Sequence, residues 1–332
     1  MDNKSIAILG AGSWGTAVAI HLAHAGHDVM LWGRDLAHMQ EMQAERCNKR
    51  YLPNILLDDK ITICSSLATC VAQASQIIIA VPSHAFAELL HMIPKPSNGL
   101  TWLTKGIDPS THKFFSQLVQ EKWGEDFPMI IISGPSFARE VATFMPTALV
   151  FAGQNKDYLN AMRALFHHGN MRIYLSHDII GVQLCGAVKN VLAIACGISD
   201  GLQYGSNAQA AIITRGLAEM SRLGMCLGAK LETFMGLAGL GDLVLTSTDS
   251  QSRNRRFGIL LGRGFTIDEA EKHIGQVVEG KYNAAQVCYL AKHCHIELPI
   301  CQEIHALLKG EITAQQAVTH LMNRPPRKDE TL

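Results

Sequence analysis

Behind a short apolar run near its start, the chain carries a glycine triplet that leaves few folds open to it. Ile6-Ala7-Ile8-Leu9 has the length and β-branched content of a strand buried on both faces. The run stops at Gly10, and a helical period follows from about Ser13 through Trp14, Ala17, Val18 and Leu22, with Gly26 placed to end the helix. Gly10, Gly12 and Gly15 therefore make G-x-G-x-x-G in a strand–turn–helix setting. In that setting the first glycine permits a tight turn and the second lets a pyrophosphate approach the backbone. The third brings helix close to strand, and the helix N-terminus faces the phosphates. The alternative is a glycine-rich turn that binds nothing. Val29-Met30-Leu31-Trp32 supplies the next strand and completes a βαβ unit.

The alternation continues through the first half of the chain. Strand candidates are Ile77 to Val81, Leu100 to Thr104, Met129 to Ile132, Thr147 to Phe151 and Met171 to Leu175, separated by helical patterns. Continuous apolar strands between helices predict a mostly parallel, doubly wound sheet covered on both faces. Ligands of such sheets bind beyond the carboxyl ends of the strands. The residues there, Arg34-Asp35, Pro82-Ser83-His84, Lys105-Gly106 and Ser133-Gly134-Pro135-Ser136, are expected to converge on one crevice. Gly, Pro and Ser at these points also suit plain turns. From about Asp178 the period turns helical, and Leu243-Val244-Leu245 is the one later run that reads as a strand. The expected organisation is an α/β N-terminal domain, residues 1–178, followed by an all-α C-terminal domain, residues 179–332. Gly236 to Asp242 reads as a loop, and the polar tail Asn323 to Glu330, broken by two prolines, as frayed.

In the second half, Lys189 is the most suspicious ionisable residue. Val182, Cys185, Leu192 and Cys196 share its helical face, so its ammonium is either desolvated, with a pKa lowered toward proton transfer, or snorkels to solvent. Asn190 beside it orients a substrate hydroxyl or caps a helix. Asp242 receives a hydroxyl, steadies a lysine, or is a solvated loop aspartate. Ser252-Arg253-Asn254-Arg255-Arg256 precedes an expected helix, Phe257–Leu261, and suits an anion such as a phosphate; a solvated basic turn reads the same way. Arg34 stands roughly twenty residues past Gly15, where a carboxylate would favour NAD and an arginine suits a 2′-phosphate. With Asp35 beside it, the expectation is use of both cofactors with NADPH preferred.

Composition closes off other classes. Of 332 residues, 48% are hydrophobic and 17% charged, which is a core-rich globular chain of two-domain length. Twenty-nine basic and 29 acidic residues balance, so no global field favours nucleic acid or an anionic membrane. No stretch approaches 18 uninterrupted apolar residues and no signal peptide is read at Met1 to Lys4, so no membrane span is expected. Nine scattered cysteines without a C-x-x-C pair point to reduced thiols and a cytoplasmic location. Cys288, His293, Cys294, His295 and Cys301 fit no closed zinc site, so no metal is expected.

Taken in order, these residues resemble the NAD(P)-dependent glycerol-3-phosphate dehydrogenase family, bacterial type. The matches are Gly-Ala-Gly-Ser-Trp-Gly-Thr-Ala (10–17), Val-Pro-Ser-His (81–84), Thr-Lys-Gly (104–106) and Gly-Pro-Ser-Phe-Ala (134–138). They continue through Lys-Asn-Val (189–191), Gly-Leu-Gly-Asp-Leu (239–243), Ser-Arg-Asn-Arg (252–255) and Val-Val-Glu-Gly (277–280). The resemblance implies a Rossmann domain followed by a helical substrate domain. It implies interconversion of sn-glycerol 3-phosphate and dihydroxyacetone phosphate with NADPH or NADH, feeding phospholipid synthesis, and a homodimer. Carried over by position, it makes Lys189 the proton acceptor. Lys105, Gly134, Ser136, Asp242, Ser252, Arg253 and Asn254 become substrate contacts. Ser13, Trp14, Arg34, Lys105, Ala138, Arg253, Val277 and Glu279 become cofactor contacts beside the glycines. Two rival readings are another two-domain hydroxy-acid or hydroxyacyl dehydrogenase, which does not require the Ser-Arg-Asn site, and a non-catalytic dinucleotide sensor, which has no use for a buried lysine.

Overall fold

The computed structural model describes residues 5–325; the first four residues and the tail from 326 onward, where fraying is expected, lie outside them. The chain divides into two compact units, Met1–Thr104 with Phe115–Ile179, and Lys105–Phe114 with Ile180–Leu332. The segment 105–114, which the sequence reading leaves in the first domain, clusters with the second unit.

The described residues of the first unit form ten strands: β1 Ile6–Leu9, β2 Val29–Trp32, β3 Cys47–Asn48, β4 Leu52–Leu56, β5 Ile61–Cys64, β6 Gln76–Ile79, β7 Leu100–Trp102, β8 Met129–Ser133, β9 Thr147–Ala152 and β10 Met171–Ser176. Eight of them form one sheet in the order β10-β9-β8-β7-β6-β1-β2-β5, and β3 pairs with β4 in a separate hairpin. Every neighbour in the large sheet is parallel except the antiparallel pair β8–β9. Strand order reverses between β1 and β6, so the first βα turn sits at the switch point where open sheets bind their ligands. All four residues of β1 are buried, and Ile8 lies in register with Leu31 on one side and Ile78 on the other. Such a strand reads as an unbroken apolar run because helices cover both its faces. The hairpin and the edge strand β5 are not apparent in the apolar pattern; in Ile61-Thr62-Ile63-Cys64 only Ile61 is buried, Thr62 is exposed and the last two are half-buried.

The described residues of the second unit form helices and no strand. Its long helix, Ile179–Gly201, is apolar enough to cross a membrane by length and composition, yet 89% of its apolar window is buried inside the protein. It is the central core helix. A second helix, Arg253–Gly262, packs directly along it: a Cβ at Gly197 would lie 2.1 Å from the Arg255 carbonyl oxygen, and one at Gly258 2.2 Å from that of Ile194. Only glycine lets the two backbones come that close.

Leu243-Val244-Leu245 is not a strand but part of the helix Asp242–Thr248. Leu243 is wholly buried while Val244 is 40% exposed, the one-sidedness of a surface helix, and three apolar residues are too few for the period to tell the two apart. Gly236 to Asp242 is not an open loop either. Leu237–Gly241 forms a π-helical turn running into that helix, and a Cβ at Gly239 would fall 2.2 Å from the Phe234 carbonyl oxygen.

Candidate active site

In the first unit the glycine turn has the shape its sequence demands. Gly10 has φ +130°, and a Cβ there would strike the Ala80 carbonyl carbon at 2.6 Å; one at Gly15 would lie 2.0 Å from the Gly10 oxygen. A Cβ at Gly12 would meet nothing within 4 Å, so that glycine faces open space. Gly12 is also the N-cap of the helix Ser13–His24 and supplies no capping side chain, which leaves the first-turn N–H groups for an anion. A dinucleotide pyrophosphate fits these features. Ser13 and Trp14 sit half-buried on the first turn, and Trp14 packs on the sheet core. Arg34 lies exposed in the bend after β2. Gly134 follows β8 with φ +124°, Ser136 turns its hydroxyl back to the Gly134 carbonyl at 3.0 Å, and Ala138 opens the helix Ala138–Ala142.

A residue absent from the sequence reading fastens the turn. Asn48 is fully buried; its Nδ2 donates to the Ala11 carbonyl at 3.0 Å and to Thr16 Oγ1 at 2.8 Å, while its Oδ1 accepts from the Tyr51 N–H at 3.1 Å. Nothing in its surroundings, Cys47-Asn48-Lys49, marks it beforehand.

In the second unit three charges meet. Lys189 Nζ is 2.6 Å from Asp242 Oδ1 and donates to Thr246 Oγ1 at 2.9 Å, and Lys105 Nζ is 2.5 Å from Asp242 Oδ2. Lys189 is 5% exposed and Asp242 1%, so the lysine does not snorkel out and the aspartate is not a solvated loop residue. Gly186 makes room for Lys105, whose Cβ lies 3.3 Å from where a Gly186 Cβ would stand. Burial pushes Lys189 down to about 7, the Lys105 charge adds to the fall, and Asp242 opposes it. Burial alone would raise the Asp242 carboxyl, but the two ammonium groups outweigh it and hold it below its ordinary value. Thr246, one turn along from Asp242, escaped the sequence reading because 243–245 read as a strand; the i,i+4 relation exists only on a helix.

The neighbouring polar set is built on amides. Asn254 Nδ2 donates to Asn190 Oδ1 at 2.9 Å, and its Oδ1 accepts from the Gly280 N–H at 3.0 Å. Asn190 in turn donates to the Gly186 carbonyl at 3.0 Å. Ser252 is the N-cap of Arg253–Gly262, a helix that starts four residues before its expected first residue, Phe257. Its hydroxyl accepts from the Arg255 N–H at 3.2 Å, which leaves its hydrogen to donate. Arg253 reaches Gln276 Oε1 at 3.4 Å, Val277 is half-buried, and Glu279 is the first residue of the helix Glu279–His293. The cysteine–histidine stretch spans that helix and the next, with the Cys288 thiol on the Cys301 carbonyl at 3.6 Å. Among the described residues no three His, Cys, Asp or Glu side chains are grouped to hold a metal ion.

A mostly parallel sheet with an open glycine turn at its switch point, followed in the chain by a helical unit, defines the class: a nicotinamide-dependent dehydrogenase of Rossmann type. The family model for the N-terminus of NAD-dependent glycerol-3-phosphate dehydrogenase matches residues 5–159, and that for its C-terminus matches residues 178–319. The chain belongs to this family. It is 60% identical over 329 residues to glycerol-3-phosphate dehydrogenase (NAD(P)+) of Legionella pneumophila strain Lens, covering 99% of this chain and all of that one. With the enzyme of the same name from Cronobacter sakazakii it shares 48% identity over 332 residues, 99% of this chain and 98% of the relative. The crystal structure of glycerol-3-phosphate dehydrogenase from Coxiella burnetii superposes with a TM-score of 0.93 at 46% identity, over 97% of this chain and 99% of that one.

Proposed function

We propose that this chain interconverts sn-glycerol 3-phosphate and dihydroxyacetone phosphate with NADPH or NADH, using Lys189 as its acid–base. The observation that carries the reading is the buried Lys189, hydrogen-bonded to Asp242 and Thr246 and brought to about 7, where an amine can both take and return a proton. The nicotinamide, when bound, supplies or accepts the hydride at substrate C2. In alcohol oxidation the neutral Lys189 removes the hydroxyl proton; in ketone reduction its ammonium returns it. Asp242 and Thr246 aim Nζ, and Lys105, held on the other carboxylate oxygen, contacts substrate and nicotinamide. Arg253 and the helix N-terminus capped by Ser252 hold the substrate phosphate, spending remote binding energy on orientation. Asn254, with Asn190 taking one amide hydrogen, keeps the other for substrate. Gly134 and Ser136 complete the substrate contacts. Gly10, Gly12, Gly15, Ser13, Trp14, Arg34, Ala138, Val277 and Glu279 serve the cofactor.

On this reading the first unit is the dinucleotide-binding domain and the second the substrate domain, and the product feeds phospholipid synthesis. A cytoplasmic location is supported by nine cysteines that are all free thiols. A homodimer is the expectation carried over from the family, to be checked by light scattering. The test of the function is cofactor oxidation on adding dihydroxyacetone phosphate, repeated with Lys189→Ala. Turnover is expected to fall by roughly 10² to 10⁴, with cofactor affinity changed by no more than a few-fold. A folded Lys189→Ala enzyme with near-normal kcat would overturn the mechanism, and intact cofactor binding without turnover by the native chain would favour the sensor.

A further inference from the structure

The corner after β2 and the loop after β3 are both built against the glycine turn. At the corner, a Cβ on Gly33 would stand 3.1 Å from that of Ala11. At the end of β3, Asn48 donates to the Ala11 carbonyl and accepts from the Tyr51 N–H in the loop that follows. The two residues that point out of these anchored segments pair with each other: Arg50 Nη1 lies 3.1 Å from Asp35 Oδ2, and its guanidinium sits 5.2 Å from the centre of the Tyr51 ring. Asp35 Oδ1 is taken as well, by the His38 N–H at 3.1 Å, where it caps the helix Leu36–Glu45.

This arrangement bears on which dinucleotide the site prefers. In sheets of this kind a carboxylate beyond the second strand ordinarily binds the ribose hydroxyls of NADH. Asp35 is the carboxylate at that place, and both of its oxygens are engaged, one as a helix cap and one by a cation. We propose that Arg50 is a second reader, beside Arg34, of the 2′-phosphate of NADPH, with Asp35 as its counter-ion when no phosphate is bound. The inference rests on the proposed use of NADPH. Arg50 and Asp35 are more than half exposed, so their pair is cheap to open. A phosphate dianion offers the planar guanidinium a doubly charged partner that can accept two of its hydrogen bonds in exchange. Asn48 ties this segment to the pyrophosphate turn on one side and to the Tyr51 N–H on the other.

The experiment is a set of binding titrations, without substrate, of NADPH, NADH, 2′,5′-ADP and 5′-AMP to the native chain, Arg50→Ala and Arg50→Lys. In Arg50→Ala, NADPH and 2′,5′-ADP are expected to weaken by about tenfold, the worth of one charge-assisted contact. NADH and 5′-AMP should stay within about twofold or tighten, since Asp35 Oδ2 is released to meet the ribose. Arg50→Lys should restore only part of the loss. Unchanged NADPH affinity overturns the assignment, and so does an equal loss for NADPH and NADH, which would make Arg50 a support of the loop. If the native chain binds 2′,5′-ADP no better than 5′-AMP, the NADPH reading itself fails and takes the inference with it.

Discussion

Two ammonium groups, on Lys105 and Lys189, share the single carboxylate of Asp242. With all three ionised, a buried set carries one uncompensated positive charge, and shedding a proton relieves it. Lys189 is the deeper of the two lysines, its side chain 7% exposed against 16%. Its neutral form, reached at about 7, is the one that can take a proton from an alcohol. The kcat/KM for glycerol 3-phosphate oxidation is therefore expected to climb along a one-proton limb and level off above a pH of about 7, with ketone reduction falling over the same range. Thr246 accepts a hydrogen bond from the lysine and so favours its charged form. Thr246→Val should move the limb to lower pH and reduce kcat. Superimposable pH profiles for the two enzymes would remove Thr246 from the set.

At the scale of elements, the contact between the helices Ile179–Gly201 and Arg253–Gly262 decides where the amide set forms. Gly197 and Gly201 on one helix face Gly258 and Gly262 on the other, each pair four residues apart. That spacing puts both members of a pair on one helical face and lets the backbones close together. Asn254, one turn before Gly258, thereby meets Asn190, one turn before Ile194. A methyl group at Gly258 would press on the Ile194 carbonyl at 2.2 Å, and the helices would have to part. Gly258→Ala is expected to cost about 1–3 kcal/mol of stability, the range for overpacked cores. The KM for the phosphorylated substrate should rise more than the Kd for cofactor. A variant melting at the native temperature would show that the crossing tolerates the extra carbon.

At the scale of the whole molecule, each unit has its own apolar core, one built on the parallel sheet and one on the central helix. The first core includes a titrating weak point. His21, 4% exposed, bonds the Phe166 carbonyl at 2.8 Å through Nε2. Burial lowers its pKa, and the charges of His168, His24 and His27 push it the same way, against the Phe166 hydrogen bond. A base whose folded pKa lies below its unfolded value binds protons more readily in the unfolded chain. Its contribution is intact above the ordinary histidine value near 6.5 and is lost as pH falls through that value toward the lower folded one. The melting temperature should therefore drop as pH falls below about 6.5, and more gently in His21→Gln. Parallel slopes for the two proteins would place the acid-sensitive group elsewhere.

The strand–glycine–helix start, the parallel sheet and the change to helix near residue 178 were legible because each is written in neighbouring residues: unbroken apolar runs, glycines at fixed offsets, a shift from one period to another. The apolar face around Lys189 was legible too, from the residues one and two turns away, but that its ammonium stays inside instead of snorkelling out was decided by the structure. Asp242 could not be paired with it from sequence, because the two are 53 residues apart and meet only when the helices pack. The helix bearing Asp242 and Thr246 was hidden for the same reason, its three apolar residues taking their conformation from the surface they cover. Asn48 and Arg50 are ordinary polar residues until the hairpin lays them against the glycine turn and Asp35. Local pattern thus determined which elements form and which faces they bury. Which charged and amide groups come to share a partner was decided by tertiary packing, because a hydrogen bond between distant segments depends on backbone approach and leaves no periodic trace in the chain.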